Sequence, residues 1–130
     1  RKNKLAAQYD GYVVVDGLTI NGQFTSGENI GDLGGLGIAH KAYRISLDGQ
    51  EAPVIDGYTG DQRFFLGWAQ VWRSKMRDEE AKLRLTTDPH SPPKFRANGA
   101  AVNVNAFYDA FDVQEGDSMY LSPEDRVKIW

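Results

Sequence analysis

The 130-residue sequence contains no cysteine, which excludes disulfide bonds, thiolate zinc sites and a cysteine nucleophile. Long apolar runs are missing as well, because no segment approaches the roughly 18 consecutive apolar residues of a membrane span. A cysteine-free chain occurs in any cellular compartment, so its location stays open.

An excess of basic charge is also missing. Fifteen Lys and Arg residues stand against 18 Asp and Glu residues, giving a formal net charge of -3. This balance provides no basic field for nucleic acid or an anionic membrane. What the sequence does have is 41% hydrophobic and 12% aromatic residues, enough for the core of one ordinary domain. We therefore expect a single globular domain over residues 1–130 that binds no nucleic acid.

Hydrophobic spacing and turn signals predict the elements of the first part of the chain. Residues 1–9 have helical spacing, whereas residues 12–25 alternate around Gly-containing turn dipeptides and predict short strands or extended chain. Thr25 and Glu28 fit a T-x-x-E capping box, so a helix is expected to start there and to reach Ile45. Glycines inside this helix are expected to pack closely against another element.

The second part of the chain is predicted to be helical. Residues 59–62 repeat the capping-box pattern, and the apolar stripe over residues 64–76 is broad enough to predict a deeply buried core helix. A short charged helix is expected over residues 77–85, followed by a proline-rich loop and a last clear helix within residues 93–111. The tail is expected to be anchored by burial of its final apolar residues, including Trp130.

The stretch TSGENIGDLGGLG, from Thr25 to Gly37, places the carboxylates of Glu28 and Asp32 one helical turn apart. Like charges at this spacing cost roughly 0.2–0.5 kcal/mol unless a cation or a donor is nearby. A metal site, a hydrolytic carboxylate pair and simple stabilisation of a helix N-terminus all remain open. The glycines lack the G-K-[ST] ending of a phosphate loop, which disfavours nucleotide binding.

A second candidate region contains His90 and Arg96 on either side of the segment SPPKF. A rigid proline loop followed by a helix start can aim an imidazole and a guanidinium at one oxyanion, although both residues can equally be exposed surface groups. Trp68 and Trp72 are most simply core residues, but one of them can also wall an apolar pocket. His40 is interpreted as a surface or packing residue.

Four phrases, in this order, resemble the C-terminal end of the neprilysin-type (M13) zinc metallopeptidases. They are GENIGDLGGLG at 27–37, FFLGWAQVW at 64–72, DPHSPPKFRANGAAVN at 88–103, and the closing DSMYLSPEDRVKIW. The resemblance covers nearly the whole chain and suggests a bacterial-type member. It implies a mainly α fold, namely the C-terminal helical part of a thermolysin-like (zincin) catalytic lobe, with a short β segment near residues 12–25.

The resemblance also implies roles for individual residues. Glu28 corresponds to the third zinc ligand, and Asp32 to the acid that orients a zinc-bound histidine. His90 and Arg96 correspond to the groups that hydrogen-bond the peptide carbonyl and its tetrahedral oxyanion. Val71 and Trp72 correspond to family positions near the apolar pocket that accepts the side chain after the scissile bond.

The family's H-E-x-x-H helix, which supplies two zinc ligands and the general base, is absent from these 130 residues. The resemblance implies that it precedes residue 1, so we expect a C-terminal fragment that has the upstream part of the same polypeptide as its partner. The full-length protein is then expected to be a zinc endopeptidase that hydrolyses oligopeptides with zinc-activated water. The fragment alone is expected to be inactive, because one carboxylate is not a three-ligand site.

Two other interpretations compete with the peptidase. One is a non-catalytic interaction domain derived from the peptidase fold, and the other is a metal-free hydrolase that uses Glu28 and Asp32 as acid and base. The fragment is also expected to expose apolar surface, which can drive self-association. The resemblance allows a periplasmic or cell-surface location as well as a cytoplasmic one.

Overall fold

Local sequence signals set most of the element boundaries in the computed structural model, which describes residues 1–130. The elements in chain order are α1 (Lys2–Asp10), β1 (Val13–Val15), β2 (Leu18–Thr19), α2 (Ser26–Ser46), α3 (Gly60–Val71), α4 (Asp78–Thr87), α5 (Pro93–Ala101) and α6 (Asn105–Phe111). The fold is therefore mainly helical, with one small sheet, as the sequence predicts. None of the helices is long and apolar enough to cross a membrane.

The predicted extended segment is a short antiparallel hairpin of β1 and β2, in which Val13 pairs with Thr19 and Val15 with Leu18. Its turn consists of Asp16 and Gly17, whose φ angles are 49° and 76°. Positive φ at both central residues is typical of the turn that matches the twist of a tight hairpin, which explains the Asp-Gly dipeptide here.

The helix α2 begins and ends where the sequence predicts, but the capping box expected at its start was wrong. Thr25 has helical backbone angles and its side chain caps no backbone N–H. Its hydroxyl instead donates to the Asn21 carbonyl at 3.1 Å and accepts from the Asn29 side chain at 2.9 Å. Both of these interactions compete with the capping geometry.

The capping box at the start of α3 is confirmed. The Gln62 N–H donates to Thr59 Oγ1 at 3.2 Å, and the Thr59 N–H donates to Gln62 Oε1 at 2.9 Å. The deep burial predicted for residues 64–76 was wrong, because Phe65 is 3% exposed but Val71 is 72% exposed. The helix α3 packs against α5 and α6 and, through Phe64 and Phe65, against aromatic side chains of α2, whereas Val71 faces solvent.

The helix predicted within residues 93–111 is two helices, and the first of them, α5, is the central one. It contacts α1, α2 and α3 through a face of small residues that includes Ala97 and Ala100. The break follows from Asn103, whose buried side chain donates to the Gly99 carbonyl at 2.8 Å and accepts from the Val127 N–H at 2.7 Å. These side-chain bonds end α5 and fasten the C-terminal tail.

Two buried clusters form the core on either side of α5. The first contains Leu36, Phe65, Ala100, Ala101, Phe107 and Tyr108. The second contains Leu5, Tyr9, Ile20, Leu33 and Val127. Burial anchors the tail at Val127, but the same expectation was wrong for Trp130, which is 77% exposed.

The glycines of α2 differ in their surroundings. A Cβ atom at Gly34 would lie 2.8 Å from the indole nitrogen of Trp130, whereas one at Gly35 or Gly37 would meet nothing within 4 Å. Close packing is thus confirmed for Gly34 and not found for Gly35 or Gly37.

Several large apolar side chains are exposed, as expected from the sequence: Ile38, Ile45, Val54, Val71 and Leu83.

A close backbone approach at Gly22 gives a stability prediction. A Cβ at Gly22 would lie 2.0 Å from the Ala6 carbonyl oxygen, so Gly22→Ala is expected to lower the free energy of unfolding by about 2 kcal/mol or more through overpacking. The matched control is Gly35→Ala, at a position where a Cβ would meet nothing within 4 Å. This substitution is expected to raise the free energy of unfolding by roughly 0.5–1 kcal/mol. Urea unfolding measures both changes, and equal effects of the two substitutions would contradict the described packing.

Candidate active site

The contact between α2 and α5 brings the four predicted polar residues to one place. Glu28 and Asp32 lie in the first two turns of α2, and Arg96 lies in the first turn of α5. His90 lies in the loop that precedes α5. Pro93 is the first residue of that helix, where a missing N–H costs nothing and a fixed φ favours helix initiation.

A bidentate ion pair between Arg96 and Asp32 is the centre of this arrangement. Arg96 Nε donates to Asp32 Oδ2 at 2.6 Å, and Arg96 Nη2 donates to Asp32 Oδ1 at 2.7 Å. The side chains are 15% and 9% exposed, respectively. The hydrogen bonds to Asp32 raise the pKa of Arg96 above its ordinary value, although burial opposes this. Nη1 takes part in none of these bonds and remains free to donate to another acceptor.

Trp72 fixes the orientation of the guanidinium from the other side. The Arg96 Cζ atom lies 4.3 Å from the centroid of the Trp72 ring, in a cation–π contact. Trp68 packs edge-on against Trp72 at 5.4 Å, and its indole N–H donates to the Ala97 carbonyl at 3.1 Å, which joins α3 to α5. Val71 points into solvent and takes no part in this contact.

The Glu28 carboxylate faces two donors and keeps one oxygen free. Its Oε2 atom lies 3.1 Å from His90 Nε2 and 3.4 Å from Arg96 Nη2, and the side chain is 44% exposed. Oε1 has no hydrogen-bond partner. A half-exposed carboxylate with a free oxygen fits one ligand position of a zinc site. No group of three His, Cys, Asp or Glu residues suited to a metal occurs in the chain, so these residues do not complete such a site.

Asp88 is a site residue that the sequence reasoning missed. Its Oδ1 atom accepts from the backbone N–H of His90 at 3.0 Å and lies 2.6 Å from His90 Nδ1. These bonds lower the pKa of Asp88 below its ordinary value. The imidazole is thus held between Asp88 and Glu28. The Asp-Pro-His spacing was an available signal, because an Asp side chain commonly bonds the backbone two residues on.

A buried polar chain, also missed, fastens the His90 loop to α2. Ser91 Oγ donates to Asn29 Oδ1 at 2.7 Å, and Asn29 Nδ2 donates to Thr25 Oγ1 at 2.9 Å. Asn29 and Ser91 are almost completely buried. Because Asn29 follows Glu28 and Ser91 follows His90, these hydrogen bonds set the distance between Glu28 and His90.

A cavity of about 290 Å³ opens beside the site. Its wall includes His90 and Arg96 together with the apolar side chains of Met76 and Leu85. Val71 and Trp72, which the resemblance places near an apolar pocket, do not line it. Its volume could hold one amino-acid side chain.

His40 lies outside the site, as expected from the sequence. Its Nε2 atom is 3.0 Å from Asp61 Oδ1, and its ring stacks on Phe65 with centroids 5.6 Å apart. His40 therefore packs α2 against α3.

Comparisons with known proteins are consistent with this geometry. The family model described as Peptidase family M13 matches residues 1–127. Neprilysin-3 of Drosophila melanogaster is 37% identical over 130 residues, covering 97% of this chain and 16% of the relative. The neutral endopeptidase of Lactococcus lactis subsp. cremoris is 38% identical over 130 residues, covering 100% of this chain and 19% of the relative.

A solved structure agrees with the fold. The Mycobacterium tuberculosis zinc metalloprotease ZMP1, crystallised with an inhibitor, superposes with a TM-score of 0.96 at 55% sequence identity. The match covers 99% of this chain and 20% of that one. The chain thus spans less than a fifth of the length of the curated relatives named above and about a fifth of this solved structure.

The buried polar chain gives a prediction for the site. Ser91→Ala leaves the side-chain oxygen Oδ1 of Asn29 without its donor. The substitution is therefore expected to lower the free energy of unfolding by about 1–3 kcal/mol. Ser74→Ala is the control, because Ser74 is exposed in the loop after α3 and makes no side-chain hydrogen bond. The two variants can be compared by urea unfolding. No loss of stability in Ser91→Ala would mean that the loop is held in another way.

Proposed function

The chain belongs to peptidase family M13, and we propose that it is the part of a zinc-dependent endopeptidase that supplies one zinc ligand and the oxyanion-binding groups. The observation that carries this proposal is the Arg96 side chain, which Asp32 and Trp72 hold in place. Its Nη2 atom lies 3.4 Å from Glu28 Oε2, and its Nη1 atom makes no hydrogen bond. In this proposal residues 1–130 form a C-terminal part of the catalytic lobe, and the substrates are peptides.

The Glu28 carboxylate is the proposed zinc ligand in this chain. Its free Oε1 atom and partial exposure support that role, and the remaining ligands are proposed to come from an H-E-x-x-H helix outside these residues. Bound zinc would act as a Lewis acid on the peptide carbonyl and would lower the pKa of a bound water.

Arg96 and His90 are the proposed donors to the carbonyl oxygen of the scissile bond. Donors that are already oriented stabilise the developing negative charge without reorganising during the reaction. Asp32 and the Trp72 ring hold the guanidinium, and Asp88 holds the imidazole through Nδ1. The guanidinium therefore has a fixed direction before any substrate binds. His90 Nε2 faces Glu28 Oε2 at 3.1 Å, so the proposal requires this nitrogen to exchange Glu28 for the carbonyl oxygen when Glu28 binds zinc.

The role of Asp32 has two parts in this proposal. Both of its oxygens accept from Arg96, which supports a role in orienting that residue. Each carboxylate oxygen has capacity for a second hydrogen bond, so the orientation of a zinc-bound histidine by Asp32 is compatible with the pair and stays a prediction. Val71 and Trp72 as residues near the apolar substrate pocket likewise stay predictions, as does the cellular location.

An interaction domain without catalytic function is the alternative. The assembly of Glu28, Asp32, His90 and Arg96 into one site favours the peptidase, because an interaction domain has no need for it. The gene sequence upstream of the Arg1 codon distinguishes the two functions, since the peptidase requires an H-E-x-x-H motif there.

Substitutions at Glu28 and Arg96 test the proposed division of roles in the full-length protein. Glu28→Ala is expected to lose its zinc, whereas Arg96→Ala and Arg96→Lys are expected to retain zinc but to lower kcat by about 10²–10³-fold, the effect of losing an oxyanion donor. Metal analysis and peptide hydrolysis measure both quantities. The control is Arg73→Ala, at an exposed arginine outside the site. Zinc retained in the Glu28 variant would contradict the ligand assignment.

The isolated residues 1–130 provide a separate test. They are expected neither to bind zinc tightly nor to cleave peptides, because one carboxylate does not form a zinc site. Equilibrium dialysis against zinc and a peptidase assay check this. Stoichiometric tight zinc with chelator-sensitive cleavage would overturn the proposal that the other ligands lie elsewhere. Gel filtration of the same sample tests self-association through the exposed apolar side chains.

A further inference from the structure

The cavity of about 290 Å³ beside His90 and Arg96 has one wall that the proposed function does not use. This wall is α4, which contributes Ala81, Arg84 and Leu85. Residues three and four apart on a helix share a face, so one face of α4 is turned toward His90 and Arg96. Because those two residues are the proposed donors to the scissile carbonyl, a group that occupies the cavity lies next to the reacting bond.

The core does not account for the apolar residues on this face of α4. No residue of α4 is buried, and an exposed ion pair between Lys82 and Asp16, 2.6 Å apart, joins the helix to the hairpin turn. Leu85 packs partly against the second buried cluster, whereas Ala81 belongs to neither cluster. The face around Ala81 is therefore available to a ligand.

The charged side chains that line the cavity are already paired. The pairs are Arg84 with Glu80 at 2.6 Å, Asp88 with His90 at 2.6 Å, and Arg96 with Asp32 at 2.6 Å. An ionised group that entered the cavity would lose its water without meeting a free counter-charge, which is unfavourable. The cavity therefore suits an uncharged group.

The rest of the wall is mostly apolar, and the space is small. Besides Ala81 and Leu85 it includes Met76, Pro92 and Pro93. Apolar pockets for drug-sized molecules have volumes of roughly 300–1,000 Å³, so a cavity of about 290 Å³ suits one large side chain better than a whole ligand. Ala81 is the smallest side chain on the α4 wall, and a larger residue there would take up part of the space.

We propose that this cavity is a specificity pocket for one large apolar side chain of the peptide substrate, and that Ala81 sets its size limit; this inference rests on the proposed function. It differs from the pocket that the resemblance places near Val71 and Trp72, because neither of these residues lines it. Since His90 and Arg96 line the cavity and are the proposed carbonyl donors, the accepted side chain belongs to a residue close to the scissile bond. Ala81 carries no group that binds zinc or donates to the carbonyl, so it affects which peptide is cleaved and not the chemistry.

The test measures kcat/KM of the full-length zinc-loaded protein for peptides that differ in one residue near the cleaved bond, which is Ala, Leu, Phe, Asp or Lys in turn. At the position that the cavity accepts, the wild type is expected to prefer Leu or Phe over Ala, Asp and Lys by about tenfold or more, the usual discrimination of an apolar pocket. Ala81→Phe fills the cavity and is expected to remove this preference, while cleavage of the Ala peptide stays within about twofold.

Leu83→Phe is the matched control. Leu83 lies on the same helix, but its side chain is 57% exposed and does not line the cavity. The control is expected to leave the side-chain preference at every position unchanged. Met76→Ala is a second variant, which serves if Ala81→Phe does not fold. It enlarges the cavity and is expected to raise kcat/KM severalfold for a Trp peptide relative to the Phe peptide at the same position.

Three results would overturn the inference while leaving the proposed function intact. One is an unchanged side-chain preference in the cavity variants that fold. Another is an equal loss for all peptides in Ala81→Phe, as expected if the upstream part of the polypeptide fills the cavity. The third is the same change of preference in Leu83→Phe as in Ala81→Phe. Absence of zinc-dependent cleavage by the wild-type protein would instead overturn the proposed function, and the inference with it.

Discussion

The two hydrogen bonds between Arg96 and Asp32 are the interaction on which the rest of the site depends. They join α2 to α5 across 64 residues of sequence. Leaving either charge unpaired in a buried setting costs about 3–5 kcal/mol, so the pair holds the two helices in one relative position. The positions of Glu28 and His90 follow from it, because one lies a turn before Asp32 and the other lies in the loop that leads into α5.

A second set of contacts keeps the donors of the site oriented without a substrate. Asn29 and Ser91 fix the His90 loop to α2, while the Trp72 ring covers the guanidinium. Fixed donors of this kind stabilise developing charge because they do not reorganise during a reaction. Two buried polar atoms remain unpaired, one on Tyr9 and one on Trp72, whose ring covers the guanidinium. Buried polar atoms without partners break the usual rule that such atoms are hydrogen-bonded, and such exceptions are typical of functional sites. The exception at Trp72 therefore agrees with the proposed peptidase role.

The sequence predicted the features that depend on near neighbours and missed those that depend on distant ones. The capping box at residues 59–62 was predictable, since both partners lie within one turn. The failure at Thr25 came from competing side-chain bonds, and the break at Asn103 came from bonds to the remote tail. The resemblance to the M13 family named Asp32 and Arg96 as site residues. No periodicity could have paired them, because residues this far apart meet only through the packing of two helices.

The coupling between Asp32 and Arg96 is tested most directly by a double-mutant cycle on kcat/KM with Asp32→Ala and Arg96→Ala in the full-length protein. Equal zinc content is verified in all four forms. Because Asp32 acts partly by orienting Arg96 in this account, its substitution is expected to lower kcat/KM by a clearly smaller factor in the Arg96→Ala background than alone, since residues in one network are not additive. The loss that remains in that background belongs to the second role, the orientation of a zinc-bound histidine. The same full loss in both backgrounds would contradict the account and would assign Asp32 to a group other than Arg96.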